Sequence, residues 1–201
     1  MNMGGFSVSP NSEFADAARH LRKELSSIGD QLDAGSFTRV LPALAKNTLL
    51  EAFRKIGADH GAIWLADSTG DHLVPVFGCG EHAEDFLNGK FRLPTDQGLI
   101  SMVFATGQPF CENAIHKNPG HSPLLDRQLG LRTEAMIAIP LTFANSLRGI
   151  VSCVHLCEDD SEEGAQTFSG SDLSDLELAS AAIARILDLT LIEQILGWQD
   201  G

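Results

Sequence analysis

Gly98-Leu99-Ile100-Ser101-Met102-Val103-Phe104-Ala105-Thr106-Gly107-Gln108-Pro109 is the stretch whose reading decides the fold. Leu99, Met102, Val103 and Thr106 recur on one helical face, and Gly107 stands where the left-handed residue that closes a helix belongs. Gln108-Pro109 restarts the chain as strand, through Phe110-Cys111-Glu112-Asn113. Residues 114–127 then hold His116, Asn118-Pro119-Gly120 and His121 without hydrophobic periodicity, which predicts an ordered surface loop. Loops of that length inside compact domains are usually functional. An apolar strand ending in Pro140 follows, so the order helix, loop, strand predicts a lidded pocket built on a sheet.

Upstream, residues 61–66 and 72–79 are strand-like and flank Asp67-Ser68-Thr69-Gly70-Asp71, a composition that closes an antiparallel hairpin. Pro75 places the second strand at a sheet edge, because proline cannot donate to a ladder. A short helix over 81–87 and a brief strand over 91–94 complete this part. Downstream, residues 133–143 and 147–157 form a second hairpin around Ala144-Asn145-Ser146, and their apolar character on both faces predicts a central position.

Helices bracket the strands. Phe14, Ala18, Leu21, Leu25, Ile28 and Leu32 alternate spacings of four and three, the seam of a heptad helix that ends at 33–35. A second helix is predicted from Ser36 or Thr38 to Ile56, stopped by Gly57. Ser169, Ser171 and Ser174 are each plausible caps of the last helix, and Ser174-Asp175-Leu176-Glu177 matches a capping box. The apolar residues of that helix, from Leu173 to Leu196, are too widely spread for one sheet face to cover.

With 43% apolar and 20% charged residues, the 201-residue chain reads as one soluble domain with helical extensions. A net charge of −13 repels phosphate backbones and anionic headgroups, so neither nucleic acid nor a membrane is an expected partner. The N-terminus lacks a basic and apolar leader, and no stretch reaches the ~18 apolar residues of a span, which predicts a cytoplasmic protein. Cys79, Cys111, Cys153 and Cys157 form no CxxC pair, as suits free thiols in a reducing compartment.

Gly98-Leu99 with Thr106-Gly107-Gln108-Pro109, Arg132-Thr133, Ile139-Pro140-Leu141, Leu147-Arg148-Gly149-Ile150-Val151, and Phe168 ahead of Asp172-Leu173 resemble, in order and spacing, a GAF domain. The resemblance covers residues 37–196. It implies an α/β fold with a central, mainly antiparallel sheet, the long N- and C-terminal helices on one face, and short helices with a lid loop over a pocket on the other. Residues 1–35 would form an N-terminal helix for dimerisation or signalling, and 36–201 the domain with its closing helix.

The resemblance further implies a sensory or regulatory module that binds a small molecule, or senses redox state, in the pocket and signals through its terminal helices to a partner subunit or output domain. Candidate ligand-binding residues are Phe77, Cys79, Phe91, Phe110, Cys111, His116, His121, Leu125, Thr133, Met136 and His155. Either the set Thr133, Met136 and Ala138 or the set Ile137 and Ile139 looks into the pocket, and parity alone leaves this open. Bilin-binding members carry a lid Cys-His pair, absent here, and the Asn-Lys of cyclic-nucleotide binders is also missing. Pro119-Gly120-His121 and Thr133-Glu134 are similar to free methionine-(R)-sulfoxide reductase. The cysteine expected after the histidine is replaced by Ser122-Pro123-Leu124-Leu125, and two expected aspartates fall at Ser152 and Val154. Without a lid thiol there is no nucleophile, so no catalytic residue is assigned and enzyme is the minority reading. Cys153, His155 and Cys157 alternate on one strand but lack a fourth ligand, so no metal and no particular cofactor is assigned. A third alternative is a purely structural dimerisation module, its pocket filled by Phe77, Phe91, Phe110 and Met136.

Overall fold

The computed structural model describes residues 11–81, 83–87, 91–123, 126–127, 130–157 and 166–198. Strands β1 (His60–Ala66), β2 (His72–Cys79), β3 (Leu93–Pro94), β4 (Phe110–Asn113), β5 (Arg132–Phe143) and β6 (Ser146–Cys157) make one antiparallel sheet in the order β3-β2-β1-β6-β5-β4. β6 and β1 are central, as their continuous apolar character requires. β2 is not the edge strand that Pro75 predicted, since β3 lies beyond it. That edge strand pairs only with His72 and Leu73, however, and the β1–β2 register shifts beside Pro75, so no ladder needs its missing N–H.

Helices α1 (Ala15–Gln31), α2 (Ala34–Val40), α3 (Ala43–Lys55) and α6 (Gly170–Leu196) cover one face. The single helix predicted from 36 or 38 to 56 is two. Pro42 disfavours helical backbone at Leu41, which is extended at ψ 100°, and the chain restarts with Pro42 as the N-cap of α3. Asp33 ends nothing but caps α2 through a reciprocal box with Ser36. The box of α6 is likewise Ser169 with Asp172 rather than Ser174 with Glu177.

Phe37, Leu49, Phe53, Leu176, Ile183 and Leu187 pack from these helices onto Ile63, Ile137, Leu141, Phe143 and Val151 of the sheet, all buried. Leu25 of α1 joins this core. Arg148 fixes α1 by an ion pair to Asp30 (2.6 Å) and hydrogen bonds to the carbonyls of Ser26 and Ala144 (3.2 Å each). The β5–β6 turn, Ala144-Asn145, has both residues at positive φ, and it is held from two sides. Asp188 of α6 accepts the Ala144 N–H (2.7 Å), and Asn145 Nδ2 donates to the Arg22 carbonyl and Ser26 Oγ of α1.

On the opposite face, Trp64, Leu73, Ile150 and Met136 meet α5 (Leu99–Thr106) and Ile115 in a smaller cluster, with α4 (Ala83–Phe86) at its rim. Gly107 closes α5 at φ 65°, the left-handed position expected for it. The architecture is the predicted one, helices on one face and a lid on the other.

Candidate functional site: a lidded cavity on the sheet

Between that second face and the loop after β4 lies a cavity of about 90 Å³. Its floor is Ala62 and Trp64 of β1, Met136 of β5, and Ser152 and Val154 of β6, and one wall is the start of α5 at Gly98, Leu99 and Ile100. Thr133 also lines it, three residues from Met136, because the β5–β6 register shifts between Thr133 and Ala135. The extra residue, Glu134, lets an odd and an even position share one face. This settles the parity: Thr133, Met136 and Ala138 belong to the lid side, and Ile137 and Ile139 to the helix core.

Polar staples hold the lid. Ile115 is its buried anchor. His116 Nδ1 lies 3.1 Å from Glu134 Oε2, which also meets Arg132, while Asn118 Nδ2 donates to Glu112 Oε2 and Asn118 Oδ1 accepts the Gly120 N–H (2.7 Å). Over the cavity, His121 Nε2 is 3.0 Å from Asp126 Oδ2, and Thr133 gives the same carboxylate its hydroxyl (2.7 Å) and its N–H (3.2 Å). Burial alone would raise the Asp126 carboxyl, but the hydrogen bonds from His121 and Thr133 outweigh it and hold the group below the usual carboxylate range. An ionised Asp126 therefore makes Nε2 the protonated nitrogen of His121. Gly98, at φ 87°, brings α5 under this lid so closely that a Cβ there would sit 3.2 Å from that of Ser122.

Of the predicted site residues, His121, Thr133 and Met136 line the cavity, and Cys79 borders it from the end of β2 while its side chain packs, like Phe77, against the helix-side core. Phe77 and Cys111 pack against the helix-side core, on the far face of the sheet. His155 is also there, stacked on Phe168 at 4.1 Å with Nδ1 3.4 Å from Asp59 Oδ2. Phe110 packs into the lid-side cluster away from the cavity, and Phe91 lies behind its wall, tilted 5.5 Å from Phe86. His116 turns to Glu134 instead, and Leu125 lies outside the described residues. Sequence reasoning missed Trp64, Phe86, Ile100, Asp126 and Ser152. Trp64 had a signal, the period-2 pairing of Ala62 with Trp64, whereas nothing local marked Asp126 as the partner of both His121 and Thr133.

Three of the four cysteines, Cys79, Cys153 and Cys111, stand in one row across the sheet. Cys79 and Cys153 both pair with Gly61, and Cys153 and Cys111 both pair with Ile137. Neighbouring cysteines are thus two strands, or about 9 to 10 Å, apart, too far for the ~4.4–6.8 Å between Cα atoms that a disulfide needs. Burial also raises the thiols of Cys79, Cys111 and Cys153, against thiolate chemistry. Among the described residues no cluster of three or more His, Cys, Asp or Glu is placed to hold a metal.

The sequence profile of the GAF domain matches residues 42–188. The chain belongs to the GAF domain family. No curated protein matches it. This GAF domain is similar in structure to that of a phosphoenolpyruvate-protein phosphotransferase from Coxiella burnetii, with a TM-score of 0.61 at 16% identity over 89% of this chain and 99% of that one. The GAF-B domain of DevS from Mycobacterium smegmatis gives 0.56 at 16% identity, over 82% and 99%. The free methionine-R-sulfoxide reductase of Neisseria meningitidis, solved in complex with its substrate, gives 0.55 at 19%, over 97% and 99%. At these identities the likeness is one of fold. Among the described residues no helix is long and apolar enough to cross a membrane.

Proposed function

We propose that this GAF domain is a non-enzymatic regulatory module of the cytoplasm that binds a small molecule beneath the lid and passes the signal through α1 and α6. The observation that carries the reading is the continuity of β5 and β6. At one end they supply Thr133, Met136 and Ser152 to the cavity, and at the other their turn, Ala144-Asn145, is gripped by α1 and α6. A ligand that prefers one strand geometry thereby favours one helix arrangement, which is all that population shift requires. The purely structural alternative needs a cavity filled by Phe77, Phe91, Phe110 and Met136, and of these Met136 alone reaches it, leaving about 90 Å³ open. The reductase alternative still lacks a lid thiol.

The terminal helices also carry a surface for a second copy. Leu178, Leu189 and Leu196 of α6 are 72%, 60% and 48% exposed, and with Ala182, Arg185 and Ile192 they alternate spacings of four and three. Phe14 adds a 65% exposed ring ahead of α1. Three exposed leucines at this spacing, with Arg185 between them, suit a two-fold helical bundle, leaving an output domain or signalling protein to read its geometry.

The test is native mass spectrometry of protein purified from its own cells, followed by hydrogen exchange before and after stripping. The expected result is added small-molecule mass, and faster exchange at 22–26 and 144–145 once it is removed. Bare-chain mass in every preparation would overturn the sensor reading.

A further inference from the structure

We infer that the cavity takes an uncharged ligand no larger than a single ring, whose one hydroxyl or N–H group donates to Nδ1 of His121. This rests on the cavity being the binding site proposed above. Size is the first constraint. At about 90 Å³ the space lies far below the ~300–1,000 Å³ of ordinary ligand pockets, and nearer the roughly 150 Å³ apolar cavity that takes benzene. A nucleotide or a tetrapyrrole does not fit.

Charge is the second. Among the described residues that line the cavity there is no lysine or arginine, while Asp126 already places an ionised carboxylate on its wall. An anionic ligand would meet that carboxylate with no fixed cation to offset it, in a chain of net charge −13. A cationic ligand would have to displace His121 or Thr133 to reach Asp126.

The third constraint is which polar atoms remain free to recognise anything. Trp64 Nε1 donates to Ser152 Oγ at 2.9 Å, and the Thr133 hydroxyl is spent on Asp126. His121 gives Nε2 to the same carboxylate, which in the neutral ring leaves Nδ1 as an acceptor, and Nδ1 has no hydrogen-bond partner among the described residues. His60, the other imidazole on the wall, packs against Gly80, where a Cβ would fall 2.4 Å from its ring. Gln97 and Ser122 add an amide and a hydroxyl to the lining and Ser152 keeps its own hydroxyl proton, while Trp64, Phe86, Leu93 and Ile100 form an apolar slot that accepts a ring. Such a site rewards one donor on an otherwise apolar body, the chemistry of a phenol, an indole or a small cyclic alcohol.

Calorimetric titration of the full chain with phenol, toluene, benzoate and cyclic AMP tests this. The expected ranking is phenol at least tenfold tighter than toluene or benzoate, with no binding of cyclic AMP. His121→Leu should bring phenol down to the affinity of toluene and leave toluene unchanged. Toluene equal to phenol in the unaltered protein would leave the cavity as a site and overturn the role of Nδ1. Benzoate as tight as phenol would overturn the uncharged class, and cyclic AMP binding the size limit. Binding of none of the four would overturn this ligand class, while the sensor reading stands or falls separately on the native mass. The ranking in the unaltered protein decides the matter even where the variant fails to fold.

Discussion

The two faces of the sheet are held by different physics. On the helix side, Phe37, Leu49, Phe143, Ile183 and Leu187 are fully or almost fully buried in one continuous apolar core. On the lid side a smaller cluster surrounds a void, and polar groups close it: His121 and Thr133 on Asp126, His116 and Arg132 on Glu134, Asn118 on Glu112. Apolar burial contributes most of a domain's stability, whereas polar staples exchange bonds with water at little net gain. One face therefore stores stability, and the other can open without unfolding the chain. Deletions on the two sides should expose the difference. Phe143→Ala should cost about 3–5 kcal/mol in denaturant titration, from lost burial and the cavity left behind. His121→Ala should cost under about 1 kcal/mol while changing ligand binding. Equal losses would break the comparison, because His121 would then be structural.

A gentler probe asks whether α1 belongs to the helix-side core. Gly29 packs so close to the β5–β6 turn that a Cβ would lie 2.5 Å from that of Ala144 and 2.7 Å from Arg148 Nη2. Arg148 can swing aside, but Ala144 is fixed by Asp188 and its own turn. Gly29→Ala should therefore cost about 1–3 kcal/mol through overpacking. It should also speed hydrogen exchange along α1 while leaving the lid amides unchanged. An unchanged stability would mean that α1 rides loosely on the domain.

What the sequence revealed of these faces follows from how local each signal is. The helical seams, the hairpins and the Gly107 cap are written within a few residues, and they appear where periodicity and turn chemistry place them. The break at Pro42 is just as local, since a proline disfavours helical backbone at the residue before it, yet the apolar period runs on through the break. The bulge at Glu134 carries no such mark. It arises from pairing with β6, yet it decides that Thr133 and Met136 share the cavity. In the same way Phe77, Cys111 and His155 read as site candidates strand by strand, and the register turns them to the helix core. Strand parity is a property of the sheet, and one strand read alone does not contain it.

The exposed row on α6 sharpens the comparison in another way, because its Leu178, Leu189 and Leu196 are apolar surface that neither face of the sheet uses. Light scattering should give about twice the 21.6 kDa chain mass. Leu178→Glu with Leu189→Glu should shift it toward the monomer, with little change in the stability of the domain. A monomer at tens of micromolar for the unaltered chain would mean that the row serves a different partner.

The smallest effect expected separates the faces by acid alone. The Asp126 carboxyl is held below the usual range in the folded protein, while in the unfolded chain it titrates near 3.9. Its contribution is therefore fully present above about pH 4 and is lost as pH falls through the lower, folded value. Protonation takes away the charge that His121 and Thr133 bind, so the lid should loosen first. On the helix side Asp172 is also held low, but it caps α6 at its start, and Ile137 and Leu141 of β5 pack among apolar side chains that do not titrate. In a pH series by NMR, the Thr133 amide, which donates to Asp126 at 3.2 Å, should move as acid is added. The amides of Ile137 and Leu141 on the same strand should hold still, being bound within the sheet and packed against helices. Movement of all three together would show the two faces to be one cooperative unit, and the division of labour between them would be withdrawn.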